Sequence, residues 1–164
     1  MKKEKVITFD LDGTLIQSSQ FYPIPEYDFF IYRHWNDRRA PGGIKVKVRP
    51  GVKDMLQELS KTYYLALFTH SYPQYIEEVL SNAGLKSYFD VLCNNYDEIN
   101  DEKDLNTVLE KLGFVPQDDL DKIIIIDDNH WCRQNNKVFI VPSYMGGNDA
   151  LFDEEFSSRV RLAF

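Results

Sequence analysis

The sequence is poor in cysteine and histidine and holds no long apolar run. Two cysteines, Cys93 and Cys132, cannot build a disulfide framework, so a reducing compartment is the default. Three histidines and two cysteines are too few for a zinc cluster of the usual spacing, and His130 and Cys132 lack further partners and read as ordinary helix residues. No apolar run approaches the roughly 20 residues of a membrane span. The charged start Met-Lys-Lys-Glu-Lys leads into a run, Val6 to Phe9, too short for the apolar region of a signal peptide. Basic residues are outnumbered, 19 Lys and Arg against 26 Asp and Glu, which leaves a net charge of −7 and argues against a nucleic-acid binder that works by bulk electrostatics. With no targeting or spanning segment visible, the expected location is cytoplasm or nucleus, with no membrane partner and a monomer as the default state.

What is present is a chain of 164 residues, 43% hydrophobic and 14% aromatic. That is the size of a single domain (1–164) with a core of its own, and too apolar for a disordered chain. The charge is uneven. Residues 31–50 carry Arg33, Arg38, Arg39, Lys45, Lys47 and Arg49 against Asp37, while residues 97–128 carry eleven acids against three lysines. Solvated faces explain most such asymmetry, but a basic stretch can also draw an anionic substrate to a nearby site.

Apolar runs at Lys5–Phe9, Tyr63–Phe68, Lys122–Ile126 and Val138–Val141 read as strands, the third with four consecutive isoleucines and so buried on both faces. Between them, Pro50 to about Lys61, Pro73 to Gly84 and Leu105 to Leu112 carry apolar residues at helical spacing, and the end from about Asn148 reads as a helix. Residues 28–48 read as a β-hairpin around a Pro-Gly-Gly loop. Aromatics near it, Phe21, Tyr22, Phe29, Phe30, Tyr32 and Trp35, suit packing of the hairpin, or in part a pocket for a peptide side chain or tyrosine ring.

Strands alternating with helices make a parallel sheet covered on both sides, and ligands of such sheets bind at the carboxyl ends of the strands. Those ends carry Asp10-Leu11-Asp12-Gly13-Thr14, Thr69-His70-Ser71 and Asp127-Asp128-Asn129. Four carboxylates in one crevice repel unless a cation holds them, and an all-oxygen set favours magnesium over zinc. Magnesium held by few carboxylates meets substrate phosphate. One carboxylate can then act as the nucleophile, and a second, two residues away, can protonate the leaving group and activate water. Thr69 offers a hydroxyl to the phosphate, and Lys103 offers a charge if its helix starts at the crevice. The bland alternatives are a pair of turn aspartates, a threonine helix cap and a solvated lysine.

Phe9-Asp10-Leu11-Asp12-Gly13-Thr14-Leu15 resembles motif I of the haloacid dehalogenase superfamily, Thr69 its motif II, Lys103 its motif III and Asp127-Asp128 its motif IV, in that order. Ser18-Ser19, Phe21-x-Pro23, Asp28-Phe29, Val48-Arg49-Pro50-Gly51-Val52, Leu67-Phe68-Thr69-x-Ser71-x-x-x-Tyr75, Lys103-Asp104-Leu105 and Pro142-Ser143-Tyr144 with Asn148-Asp149 are similar to the small CTD phosphatase or NLI-interacting-factor group. The resemblance implies a haloacid-dehalogenase-like Rossmannoid three-layer α/β fold with a small hairpin insert after motif I and no large cap. It implies a magnesium-dependent phosphatase acting on phosphoproteins, with Asp10 as nucleophile and metal ligand and Asp12 as general acid and base, its backbone carbonyl on the metal. Thr69, with the amides of Leu11, Asp12 and His70, would hold the phosphate, and Lys103 would neutralise it and Asp10. Asp128 would be the third metal ligand and Asp127 would orient Lys103 or a metal water. The order of those two stays open, and Asn129 is a weaker candidate beside them. A polynucleotide 3′-phosphatase, a small-metabolite phosphatase and an inactive binding module are the alternatives. The chain departs from the group at Gly13, where Glu is usual, at His70, where a small residue is usual, at Asp128, where Asn is usual, and at Tyr144, where Trp is usual. The segment between Phe89 and Lys103 is also short. These departures leave the chemistry intact and bear on the substrate.

Overall fold

The computed structural model describes residues 3–20, 23–32, 43–96 and 102–147 and the single positions 158 and 162. Five parallel strands form the central sheet: β1 (Val6–Phe9), β5 (Tyr64–Thr69), β6 (Val91–Asn94), β7 (Ile123–Asp127) and β8 (Val138–Ile140), in the order β6-β5-β1-β7-β8. The chain leaves β1 for β5 and β6 on one side, then returns to β7 and β8 on the other. The order therefore reverses beside β1, and its carboxyl end is where a crevice opens.

Alternate residues of each strand feed two cores. Ile7, Phe9, Leu65, Leu67, Ile124 and Ile126 pack with Val52, Met55 and Leu56 of helix α1 (Val52–Leu59) and with Tyr75, Ile76, Val79 and Leu80 of α2 (Pro73–Ala83). Val6, Ala66, Phe68, Cys93, Ile123 and Ile125 pack with Leu105, Val108 and Leu109 of α3 (Leu105–Lys111) on the opposite face. A short α4 (Pro116–Asp119) follows α3. The four isoleucines of β7 are each 3% exposed or less, worth roughly 1.5–3 kcal/mol apiece as buried side chains. This is the three-layer α/β arrangement expected.

The insert after β1 is a three-stranded antiparallel sheet. Strands β3 (Phe29–Ile31) and β4 (Ile44–Val48) pair as the expected hairpin, Phe29 with Val46 and Ile31 with Ile44. The far edge of β4 takes a further strand, β2 (Ile16–Ser18), which the apolar pattern does not show. Gln17 and Ser18 are polar yet buried, and Gln17 is satisfied internally: its Nε2 donates to the Tyr144 carbonyl at 2.8 Å and its Oε1 accepts from the Ser18 amide at 2.9 Å.

Three findings correct or extend these expectations. Neither His130 nor Cys132 is in a helix; Cys132 forms a bridge to Lys103 in an extended segment, because Lys103 N–H donates to Trp131 O and Arg133 N–H to Lys103 O. Val91–Asn94, to which the apolar pattern assigns no element, is the edge strand β6. Of the basic stretch, Arg49 is 2% exposed and serves the interior, its Nη1 donating to the carbonyls of Thr14 and Pro142. Lys47 pairs with Asp28 at 3.6 Å and Lys45 lies over the Tyr27 ring. Arg33, Arg38, Arg39, Phe21, Tyr22, Trp35, the proline of the hairpin loop and nearly all of the expected C-terminal helix lie outside the described residues.

Candidate active site

The carboxyl ends of β1, β5 and β7 converge as the strand pattern requires, and the centre of the convergence is an ion cluster. Lys103, one residue before the Asp104 cap of α3, is fully buried and directs Nζ to Asp10 Oδ1 and Asp127 Oδ2, each at 2.6 Å. Asp10 follows β1 directly, is 5% exposed, and accepts a second bond on Oδ2 from the Thr14 hydroxyl at 3.2 Å. Asp127 ends β7 and accepts the Asn129 amide on its other oxygen at 3.0 Å. Burial pushes the Lys103 ammonium down, but Asp10 and Asp127 together hold it above its ordinary value. Burial and then the Asp10 charge push Asp127 up to about 6.

Asp12 stands apart from this cluster. Its carboxylate accepts from Tyr75 Oη at 2.6 Å and Ser71 Oγ at 2.8 Å. Tyr75 lies in the first turn of α2 and points back towards that helix's start, as helical side chains do, which brings it to the crevice. Burial raises the Asp12 pKa to about 6 despite these two bonds, with Asp10 and Asp128 adding repulsion. Two carboxylates two residues apart thus differ in setting, one ion-paired and one hydrogen-bonded to neutral hydroxyls; such a difference separates a nucleophile from an acid.

Asp128, half-buried, accepts from Ser143 Oγ at 2.7 Å, and burial raises its pKa. Asp10, Asp127 and Asp128 each offer an oxygen within 4.8 Å of the others. An octahedral magnesium at about 2.1 Å spaces its ligands about 3–4 Å apart, so this hard-oxygen set fits the ion after slight contraction. The fit is chemical as well: three carboxylates face one ammonium. The side chain of Asp12 is not in that group. Gly13, at φ 83°, makes room for it; a Cβ there would lie 2.4 Å from Asp128 Oδ2.

Thr69 ends β5 and is 2% exposed; its Oγ1 accepts the Ser71 amide at 3.2 Å, a local turn and not a cap of α2. The amides of Leu11 and Asp12 donate to no group among the described residues and are open to an anion. His70 follows Thr69, half-buried, with its ring edge-on to Trp131 at 6.2 Å.

Four residues carry the arrangement without having been assigned a role from sequence: Ser71 and Tyr75 on Asp12, Ser143 on Asp128, and Arg49 beneath the motif I turn. Arg49 ties that turn to Pro142, stacks over the Tyr144 ring at 5.2 Å, and is joined by the Tyr144 amide donating to Gly13 O at 2.7 Å. All four stand inside the strings that carry the family resemblance, and Ser71 and Tyr75 also share an i, i+4 spacing across a helix start, but neither signal says which aspartate or turn each one reaches.

Comparison with known proteins agrees with this geometry. Over 130 residues the chain is 34% identical to Phosphatase Herzog of Drosophila melanogaster, an alignment that covers 76% of this chain and 34% of that protein. It therefore spans about a third of the length of this relative. The fission yeast RNA polymerase II CTD phosphatase Fcp1, bound to beryllium fluoride, superposes with a TM-score of 0.64 at 18% identity, over 97% of this chain and 50% of that one. A haloacid dehalogenase-like family hydrolase from Xanthomonas campestris superposes with a TM-score of 0.62 at 14% identity, over 99% and 97%. These two likenesses establish the fold. The family model for NLI interacting factor-like phosphatases matches residues 5–161, all but a few residues of the sequence, and with the Herzog alignment it places the chain in that family.

Proposed function

We propose that the protein is a magnesium-dependent phosphatase that hydrolyses phosphomonoesters of proteins through an aspartyl-phosphate on Asp10. The observation that carries this reading is the pairing of Asp10, held by Lys103 at 2.6 Å, with Asp12, held separately by Tyr75 and Ser71 and raised to about 6. Bound magnesium, on Asp10 and Asp128 with Asp127 beside them, would neutralise phosphate charge and align the ester with Asp10.

An Asp10 oxygen attacks phosphorus and the bond to the leaving oxygen breaks. Asp12, protonated at the start, gives that oxygen its proton. The Asp12 carboxylate then takes a proton from water, which attacks the phosphorus and frees Asp10. Lys103, the Thr69 hydroxyl and the open amides of Leu11 and Asp12 hold the equatorial oxygens. Tyr75 and Ser71 keep Asp12 aimed between its two tasks. Support for a protein substrate comes from the insert: the described part is three short strands and not a domain over the crevice, so an extended chain can enter. The described cations of the basic stretch are each engaged with the protein itself, which favours this over a polynucleotide substrate.

The test is phosphate release from para-nitrophenyl phosphate, with magnesium or with EDTA, by the wild type and Asp10→Asn. Release should require magnesium and vanish in the variant while its circular dichroism is unchanged. Full activity of a folded Asp10→Asn protein would overturn the mechanism.

A further inference from the structure

The floor of the crevice is charged, but its rim is aromatic. Trp131, three residues beyond Asp128, is 60% exposed, although its main chain is fixed: its amide donates to Asn129 Oδ1 at 2.9 Å and its carbonyl accepts Lys103 N–H at 3.0 Å. The indole therefore stands in water on a rigid base that also sets Lys103. Its one described ring neighbour is His70, edge-on at 76°. Since β5 and β7 flank β1, this contact joins the strand ends on either side of the one that carries Asp10. Beyond β5 a second pair continues the rim: Tyr72, 42% exposed, and Tyr96, 41% exposed, with ring centroids 3.6 Å apart.

Large exposed aromatics are costly to leave in water, and their grouping at one site marks a surface that receives something. Here the chemistry is bipartite. Lys103, Thr69 and the Leu11 and Asp12 amides suit a phosphate, and the rings on the adjoining strand ends suit a flat apolar group joined to it. A phosphoserine puts a single methylene between ester oxygen and main chain, so it would bring peptide groups against His70 and Trp131. A phosphotyrosine puts a phenyl ring there, which can take the offset or edge-on geometry that aromatic pairs prefer.

From this, and resting on the phosphatase reading above, we infer that the protein is selective for phosphotyrosine, with Trp131 and His70 as the wall that receives the substrate ring and Tyr72 and Tyr96 extending it.

The experiment compares kcat/KM on two synthetic peptides of one sequence that differ only in phosphotyrosine or phosphoserine, with acetyl phosphate as a small substrate lacking a ring. The expected result is a preference for phosphotyrosine of about tenfold or more, the size that one or two aromatic contacts supply. Trp131→Ala should lower that ratio at least about fivefold and Trp131→Phe should keep most of it. Because a ratio is read, a general loss of activity cancels. Equal rates on the two peptides, or a preference for phosphoserine, with acetyl phosphate hydrolysed, would overturn the inference and leave the phosphatase reading standing. A phosphotyrosine preference undiminished in both Trp131→Ala and His70→Ala would overturn the assigned wall. No release from any of the three substrates by folded protein would overturn the phosphatase reading, and this inference with it.

Discussion

Replacing Lys103 by methionine isolates the ion cluster from the rest of the fold. The side chain is fully buried, and the two carboxylates it touches are 7% and 1% exposed, so neither can turn to water when the ammonium is gone. Breaking a buried pair in this way costs about 3–5 kcal/mol, mostly from the charges left behind. For a chain of this size that lowers Tm by about 6–20 °C, at about 2–4 °C per kcal/mol. The loss depends on pH, with a definite sign. The lysine's pKa is raised, so in the wild type its own titration falls above the ordinary lysine value and adds no pH dependence between pH 5 and 7.5. In the variant, Asp10 and Asp127 face each other without a counter-ion. A carboxylate whose pKa is raised by folding contributes stability at low pH and loses it as pH rises through its folded value, already about 6 for Asp127 with Lys103 present. The Tm gap between variant and wild type should therefore widen from pH 5 to pH 7.5. Adding Asp127→Asn should recover much of it. Differential scanning fluorimetry in EDTA at the two pH values reads both effects. A variant as stable as the wild type at pH 7.5, or a gap independent of pH, would refute the reasoning.

Gly13→Ala forces a left-handed residue to carry a Cβ 2.4 Å from Asp128 Oδ2; it should cost about 1–2 kcal/mol in urea unfolding and weaken magnesium binding by calorimetry. In the activity assay, kcat/KM should fall as pH rises above about 6, because the acid form of Asp12 is lost there, and a profile flat to pH 8 would exclude Asp12 as the acid. Tyr75→Phe removes a hydrogen bond that favours the carboxylate, so it should move that limb to higher pH. Magnesium at about a hundred times its Kd should stabilise the protein by about 2.7 kcal/mol, and by less at pH 5, where the raised pKa values of Asp127 and Asp128 let protons compete; a thermal shift equal at pH 5 and 7.5 would contradict this.

The central strands were legible because burial on both faces leaves long apolar runs, as at Ile123–Ile126, and their ends then located Asp10, Thr69 and Asp127 without any knowledge of packing. β2 was not legible, since its three residues are polar in part and are buried only because Tyr144, far along the chain, satisfies Gln17. β6 was missed because its four residues are brief and followed by an acidic stretch. Asp10 and Asp12 could be named from sequence, but not the difference between their settings. That difference is made by Lys103, Ser71 and Tyr75, which reach the turn from elements 59 to 93 residues away. The reading of Arg49 as part of a surface field failed for a similar reason: no local pattern distinguishes a cation in water from one that binds two buried carbonyls.

The clasp of Arg49 and Tyr144 around the motif I turn has a temporal consequence. Its bonds join Arg49 to Pro142, 93 positions on, and Tyr144 to Gly13 at the other end of the chain's described fold. Contacts of such separation carry a larger loop-closure cost than local ones. A growing chain on the ribosome therefore holds Asp10 and Asp12 long before it holds the segment that fixes their turn, and the turn is complete only after Tyr144 has been synthesised and docked. Until then the two aspartates lack the setting that the finished fold gives them.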